Sequence, residues 1–218
     1  CFLVAHSLYK GALFMLAGAL DHETGTKDIT RMGGLRHSMP KTAVITGLAA
    51  LSLAGLPPLF GFVAKELLLE SLLHAPIWQT GLLVAAVLSA MLVVAVAGLV
   101  FIKPFFGPVV KTPKLPHEAP FAMLIGPGVL TMLALIFGFM PSLPANLVLD
   151  AAISAVSGYP VETALALWHG INLPLMLSGL SLLAGSFLVA AWHRLQPTLY
   201  AMNPAASRFG PEAGYFRF

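Results

Sequence analysis

Four ionisable side chains interrupt two otherwise apolar stretches of the sequence, and their types and spacing suit proton transfer. His6 and Lys10 are four residues apart, so they share one face if the segment is helical. Lys65 and Glu66 lie in the second stretch, LAGLPPLFGFVAKELLLES, residues 53–71. Lysine shifts its pKa readily when it is desolvated, and histidine titrates near neutral pH. A row of such groups in an apolar medium can load and unload protons as neighbouring charges change.

The second stretch also contains a predicted break in the backbone. Pro57 and Pro58 stand just before Gly61, and consecutive prolines cannot continue a helix. A helix interrupted at membrane depth frees carbonyl and amide groups, which are tolerated only where they line a cavity or are buried in protein. Discontinuous helices mark ion and substrate sites in transporters. We therefore expect Lys65 to lie beside freed backbone at a functional site.

The elements that position these residues are predicted from composition. The chain has 218 residues, of which 58% are hydrophobic and 10% are charged, and its mean hydropathy is +0.87. A soluble domain has about 25% charged residues, so this composition indicates an integral membrane protein built from helices. The lone Cys1 offers no disulfide framework or zinc motif, and we expect no metal or other cofactor. The scattered cations lack aromatic interleaving, so nucleic acid is not an expected partner.

Five apolar segments are predicted to cross the membrane. Residues 41–74 are too long for one straight crossing, yet each half around the prolines is shorter than the roughly 20 residues that a crossing needs. This segment is either a hairpin of two short crossings or one broken crossing. The remaining spans follow from runs of about 20 apolar residues: 1–20, 79–102, 120–140 and 166–192.

Loop charge distinguishes the hairpin from the broken crossing. Of the twelve Lys and Arg residues, only Lys10 and Lys65 lie in the interior of predicted spans, since Lys41 stands at the very start of 41–74. If 41–74 crosses once, every other cation lies on one side, as the positive-inside rule requires. We therefore predict one discontinuous crossing, a bundle over 1–195 and a truncated tail over 196–218. The predicted cytoplasmic segments are 21–40, 103–117 and 193–218.

Structural roles compete with these assignments. Lys10 could extend to the membrane interface, Lys65 and Glu66 could belong to an interfacial segment, and His6 could be a packed core histidine. Tyr9 and Ser7 are interpreted as packing residues, and His169 as an interface or capping residue. Buried lysines are costly in a membrane without a functional partner, which favours the relay over these alternatives.

Longer motifs resemble a known family. HSLYKGALF begins at His6, DHETGTKDI follows the first span, and LWHGINLPL occupies residues 167–175. The chain resembles the antiporter-like family, which includes the large subunit of the multi-subunit Mrp-type Na+/H+ antiporter and the antiporter-like subunits of complex I. The resemblance implies an all-α polytopic membrane protein, of which this chain is the C-terminal part of an inverted-repeat bundle. His6, Lys10 and Lys65 match the family's relay residues, and the role of Glu66 is open.

The resemblance also implies a function. The chain is expected to be a fragment of a membrane subunit, not an enzyme, that exchanges Na+ or another monovalent cation for protons. It would work with other membrane subunits in the lipid bilayer of the bacterial cytoplasmic (inner) membrane. The alternatives are a proton-pumping subunit of an oxidoreductase, of the complex I or membrane-bound hydrogenase type, and a purely structural subunit. Complex I subunits commonly carry a histidine where this chain has Phe2, which favours the Mrp type.

Overall fold

The computed structural model describes residues 1–197 except 161, 162, 164 and 169, and its regular secondary structure is entirely helical over that part of the chain. The predicted all-α fold is thereby confirmed. The helices are α1 (Phe2–Thr24), a 3-10 turn (Ile29–Arg31), α2 (Pro40–Ala54), α3 (Phe60–Leu73), α4 (Gln79–Phe106), α5 (Phe121–Phe139), α6 (Ser142–Pro144), a π-helical turn (Ala145–Leu149), α7 (Asp150–Ser157) and α8 (Leu173–Ala190).

Four of the described helices, α1, α4, α5 and α8, are long and apolar enough to cross a membrane. Their outward faces carry large apolar side chains, including Leu88 and Leu92 on α4 and Leu183 and Phe187 on α8. In water such faces would have to be covered, whereas in a bilayer they contact lipid. The exposed apolar surface therefore agrees with the multi-pass membrane architecture.

The two short helices α2 and α3 follow one another along α1, as a single broken crossing requires. Ala43 and Ala49 of α2 share a core cluster with Leu16 and Leu20 in the second half of α1. Residues of α3 instead cluster with the first half of α1, namely Phe60 and Val63 with Ala5 and Leu8. The pair therefore runs antiparallel to α1 end to end, which excludes the hairpin alternative.

The break itself lies between Ala54 and Phe60. Gly55 ends α2 in the left-handed conformation (φ 76°), which glycine adopts without steric cost. The Pro57–Pro58 peptide bond is cis. At Gly61 the two helices come so close that a Cβ atom would lie 1.8 Å from the Ser52 carbonyl oxygen. The predicted break at Pro57, Pro58 and Gly61 thus coincides with the point where α3 crosses the end of α2.

Helix directions bring the cation-rich segments to one end of the bundle. On α4, Val94 and Gly98 pack against Gly185 and Val189 of α8, so these two helices run in the same direction. The segments after α1 and α4 meet through hydrogen bonds from the Leu35 and Arg36 amides to carbonyls at the end of α4. The C-terminal ends of α1, α4 and α8 therefore share one end, as the loop-charge count predicts.

Three helices have bounds that differ from the predicted spans, and the spans themselves stay predictions. The first helix continues beyond residue 20 to Thr24, where Gly25 supplies a left-handed C-cap, because polar residues can extend a helix beyond the apolar span. Helix α4, which contains the predicted span 79–102, continues to Phe106. The last starts at Leu173, seven residues after the predicted 166, because Asn172 caps its first turn by accepting a hydrogen bond from the Leu175 amide.

Other predictions fall partly or wholly outside the described residues. Between the predicted spans 120–140 and 166–192, the chain is helical from Ser142 to Ser157. Residues 192–197 are helical, while the rest of the predicted tail, 198–218, and His169 lie outside the described residues. The division into a bundle over 1–195 and a tail over 196–218 stays a prediction.

Candidate functional site

Residues from four helices line a largely apolar cleft beside the helix break, into which a few polar groups project. Its volume is about 510 Å³. His6 and Lys10 of α1 face it, Lys65 of α3 lies across it, and Ser89 of α4 contributes a hydroxyl group. The structure therefore brings three of the four predicted relay residues to one cavity, although α1 and α3 are separated by more than thirty residues in the sequence.

His6 lies at the exposed side of the cleft beside a buried tyrosine. The Tyr9 hydroxyl is 3.3 Å from His6 Nδ1, and the two rings meet edge to face with centroids 5.4 Å apart. Tyr9 is only 5% exposed, which fits the packing role predicted for it, while its hydroxyl also reaches the histidine. The contact restricts rotation of the imidazole, and it involves the Nδ1 atom and not Nε2.

Lys10 occupies the same wall of the cleft one helical turn further along α1. Its side chain is half-buried, and Nζ lies 6.0 Å from the centre of the Phe14 ring. An ammonium near an aromatic face gains modest stabilisation, more so when it is desolvated. The cation is therefore held by an apolar neighbour on its own helix, which leaves its charge available to groups across the cleft.

Lys65 lies against the C-terminal end of α2. Its Nζ donates a hydrogen bond of 3.5 Å to the carbonyl oxygen of Ala54, the last residue of that helix. A helix C-terminus carries partial negative charge and free carbonyl groups, so it favours an ammonium. The aliphatic part of the Lys65 side chain also packs over Gly55. A Cβ atom added at position 55 would lie 2.8 Å from the Cδ atom of Lys65. The break thus supplies both the acceptor and the space for this lysine.

Glu66 is placed differently from the other three residues. One position along a helix is a rotation of about 100°, so adjacent residues point in different directions. Glu66 is 7% exposed and is not among the residues that line the cleft. The structure does not bring Glu66 to the cavity that His6, Lys10 and Lys65 share.

The α4 wall of the cleft was missed by reasoning from the sequence. Residues 79–102 contain no charge, and they predict only a clean span. In the structure Ala85, Ala86 and Ala90 line the cleft together with Ser89. The available signal was the run of small residues around one serine, because small side chains on one helical face leave room beside a neighbouring helix.

A second missed residue, Glu118, fixes the far end of α2. The Lys41 and Thr42 amides donate to its two carboxylate oxygens at 2.7 and 3.1 Å, and the Thr42 hydroxyl donates at 2.6 Å. Burial alone would raise the pKa of Glu118, but the hydrogen bonds from Thr42, Lys41 and Ala119 outweigh it and lower that pKa. A charged carboxylate from another segment therefore caps the α2 N-terminus.

Comparisons with known proteins agree with this architecture. Residues 1–107 match the family described as NADH:quinone oxidoreductase/Mrp antiporter, transmembrane region. The A1 subunit of the Na(+)/H(+) antiporter of Staphylococcus haemolyticus is 36% identical over 92% of the chain and 27% of the relative. The corresponding antiporter subunit from Alkalihalophilus pseudofirmus is 35% identical over 81% of the chain and 24% of the relative. The chain therefore spans about a quarter of the length of these curated relatives.

A solved structure gives the same result for the fold. The Mrp complex from Dietzia sp. DQ12-45-1b contains a chain that matches with a TM-score of 0.70 and 32% sequence identity. The match covers 89% of this chain and 21% of that one. The fold of this chain is therefore similar to part of a solved Mrp complex.

Proposed function

Since the chain belongs to the NADH:quinone oxidoreductase/Mrp antiporter family, we propose that it is part of a subunit of a secondary Na+/H+ antiporter. Within that subunit it supplies one section of the proton path. Other membrane subunits complete the transporter, which lies in the bacterial cytoplasmic membrane and exchanges protons for Na+ or another monovalent cation. The relatives named as Na(+)/H(+) antiporter subunits support this interpretation.

The observation that carries the proposal is the cleft shared by Lys10, Lys65 and His6. Two lysines that line one cavity repel each other when both are charged, so protonation of one favours release of a proton from the other. The carbonyl of Ala54 stabilises the charged form of Lys65. Water in the cleft can carry the proton between these groups, since no direct side-chain contact between the two lysines is needed.

His6 serves as the third group in this path. An imidazole can accept a proton at one ring nitrogen and donate one from the other, so this residue type suits exchange with solvent or with Lys10. Its position four residues before Lys10 keeps the two side chains on the same face of α1. Glu66, which does not line the cleft, would affect the path through its negative charge beside Lys65.

The main alternative keeps the relay but changes what drives it. In a redox-driven complex, electron transfer elsewhere would change the protonation of the same lysines. The family description includes NADH:quinone oxidoreductase, which is why this alternative is retained. A structural subunit without transport would not require lysines on an intramembrane cleft, so Lys10 and Lys65 count against that third possibility.

The test is proton flux in vesicles that contain the complete complex. We expect Na+ addition to drive proton movement in the wild type, and Lys10→Ala and Lys65→Ala each to abolish it. Lys27→Ala is the matched control, because Lys27 is exposed and makes only a 3.7 Å ion pair with Asp21. Unchanged flux in both cleft variants would refute the relay, and flux that requires an electron donor would favour the redox-driven alternative.

A further inference from the structure

A buried carboxylate at the cation-rich end of the bundle is bound by two histidines from different segments. Glu23, in the last turn of α1, is 2% exposed. Its Oε1 atom is 2.8 Å from His22 Nδ1 and its Oε2 atom is 2.9 Å from His117 Nδ1. Both imidazoles are largely exposed to solvent, whereas the carboxylate is buried.

The contact joins two segments that are distant in the sequence. His117 belongs to the segment between α4 and α5, which also donates the Lys114 amide to the Thr24 carbonyl at 3.1 Å. The Lys114 ammonium donates to the His22 carbonyl at 3.0 Å. The contact between His117 and Glu23 therefore pairs an acidic group of α1 with a titratable group of the segment between α4 and α5.

We propose that His22, Glu23 and His117 form a pH-sensitive clasp that holds the segment between α4 and α5 against the end of α1. When the histidines are protonated, each Nδ1–H donates a charge-assisted hydrogen bond to the carboxylate. Such bonds are roughly twice as strong as neutral ones. When they lose their protons, the buried negative charge of Glu23 keeps only neutral donors, and the clasp weakens.

The neighbouring charged groups do not replace the histidines. On the α1 side, Asp21 pairs with Lys27 at 3.7 Å. On the other side, Lys114 is engaged by the His22 carbonyl and Glu118 accepts hydrogen bonds from the α2 N-terminus. The His117 Nδ1 atom is also 3.2 Å from the Glu118 carbonyl oxygen, which helps to orient the ring toward Glu23. The clasp is therefore closed in acid and weakened in alkali.

This inference goes beyond the proposed transport function, because it concerns which conformation the loops adopt at a given pH. The clasp connects solvent pH to the segment that also carries Glu118, the cap of α2. Opening it would loosen the support of the broken crossing at alkaline pH. Its test does not depend on whether Lys10 or Lys65 transfers protons.

The experiment is hydrogen–deuterium exchange of the intact complex at about pH 5 and about pH 8, corrected for the intrinsic pH dependence of amide exchange. The Lys114 amide, which donates to Thr24, is the reporter. We expect its corrected exchange to be about fivefold slower at the lower pH in the wild type. In His117→Gln, which keeps donor groups but cannot titrate, we expect the exchange to lose this pH dependence.

Two further variants make the result decisive. His37→Gln is the matched control, since His37 is exposed, lies in the neighbouring segment and contacts Arg36 instead of Glu23. It should retain the wild-type response, whereas a His22→Gln, His117→Gln double variant should show none. The proposal is wrong if wild-type exchange does not change with pH, or if the double variant responds as the wild type does.

Discussion

Gly61 lies against the carbonyl of Ser52, the third residue from the end of α2, at a distance that leaves no space for a side chain. A Cβ atom at position 61 would lie 1.8 Å from that oxygen and 2.8 Å from its carbon. Both are backbone atoms, so the collision cannot be relieved by rotating a side chain. The crossing of α2 and α3 therefore depends on a residue that presents only its backbone.

Gly61→Ala should force the two halves of the broken crossing apart. Overpacking of this kind typically costs about 1–3 kcal/mol, and a backbone obstacle places it at the upper end of that range. We expect a lower thermal stability of the purified complex and a large loss of flux. Gly179→Ala on α8 is the control, because a Cβ there meets nothing within 4 Å. Equal stability of both variants would contradict the close crossing.

Lys65→Arg separates charge from proton transfer. Arginine keeps a positive charge beside the Ala54 carbonyl but stays protonated at all accessible pH values. If Lys65 must release a proton, we expect the variant to assemble normally and to lose most of its Na+-driven proton flux. Flux close to that of the wild type would mean that Lys65 supplies only a fixed charge. Assembly is checked by size-exclusion chromatography of the complex.

Tyr9→Phe tests whether the tyrosine hydroxyl takes part in the relay. The phenyl ring keeps the buried packing, and the contact that is lost, 3.3 Å to His6 Nδ1, is long for a hydrogen bond to a hydroxyl group. We therefore expect assembly to be unchanged and flux to stay within about twofold of the wild type. A shift of the pH profile of flux in this variant would instead assign the hydroxyl a part in setting the protonation of His6.

Replacing Glu118 should loosen the N-terminal end of α2. Loss of a capping carboxylate typically costs about 1 kcal/mol, so Glu118→Ala should increase amide exchange at Lys41 and Thr42. Glu70→Ala is the control, since Glu70 is exposed near the end of α3. Unchanged exchange at both amides would show that the cap contributes nothing.

The same cap gives a pH dependence with a definite sign. The pKa of Glu118 is lowered in the folded protein, so its contribution to stability is complete above the ordinary glutamate pKa. It is lost as the pH falls through the lowered folded-state value. We expect acid to destabilise wild-type α2 more than that of Glu118→Ala. Thermal unfolding of the complex, measured as the pH is lowered through the carboxylate range, tests this difference.

Much of the architecture could be predicted because the signals are local. The apolar runs locate the spans, and Pro57 with Pro58 locates the break. Loop charge favoured one crossing over two, and the packing of α2 and α3 along α1 agrees. The late start of α8 was also readable from Asn172 and Pro174, but hydropathy extended the predicted span past these residues.

The remaining features depend on contacts between distant segments. Glu118 lies 76 residues from Thr42, and His117 meets Glu23 only because two loops meet at one end of the bundle. The role of Ser89 in the cleft depends on which face α4 turns toward α1 and α3. A pattern of apolar and polar residues predicts that a helix exists, but not how it is rotated against its neighbours.

Helix α2 is held at both ends by ionisable side chains that belong to other elements. Glu118 binds its N-terminus, and Lys65 donates to the carbonyl of its last residue, Ala54. With 15 residues it is a rod of about 22 Å, short enough to move as one rigid body. A shift of the loop at one end would therefore change the distance between Lys65 and its acceptor at the other. The helix could act as a mechanical link between the loop that carries Glu118 and the amine of Lys65, the group proposed to carry protons.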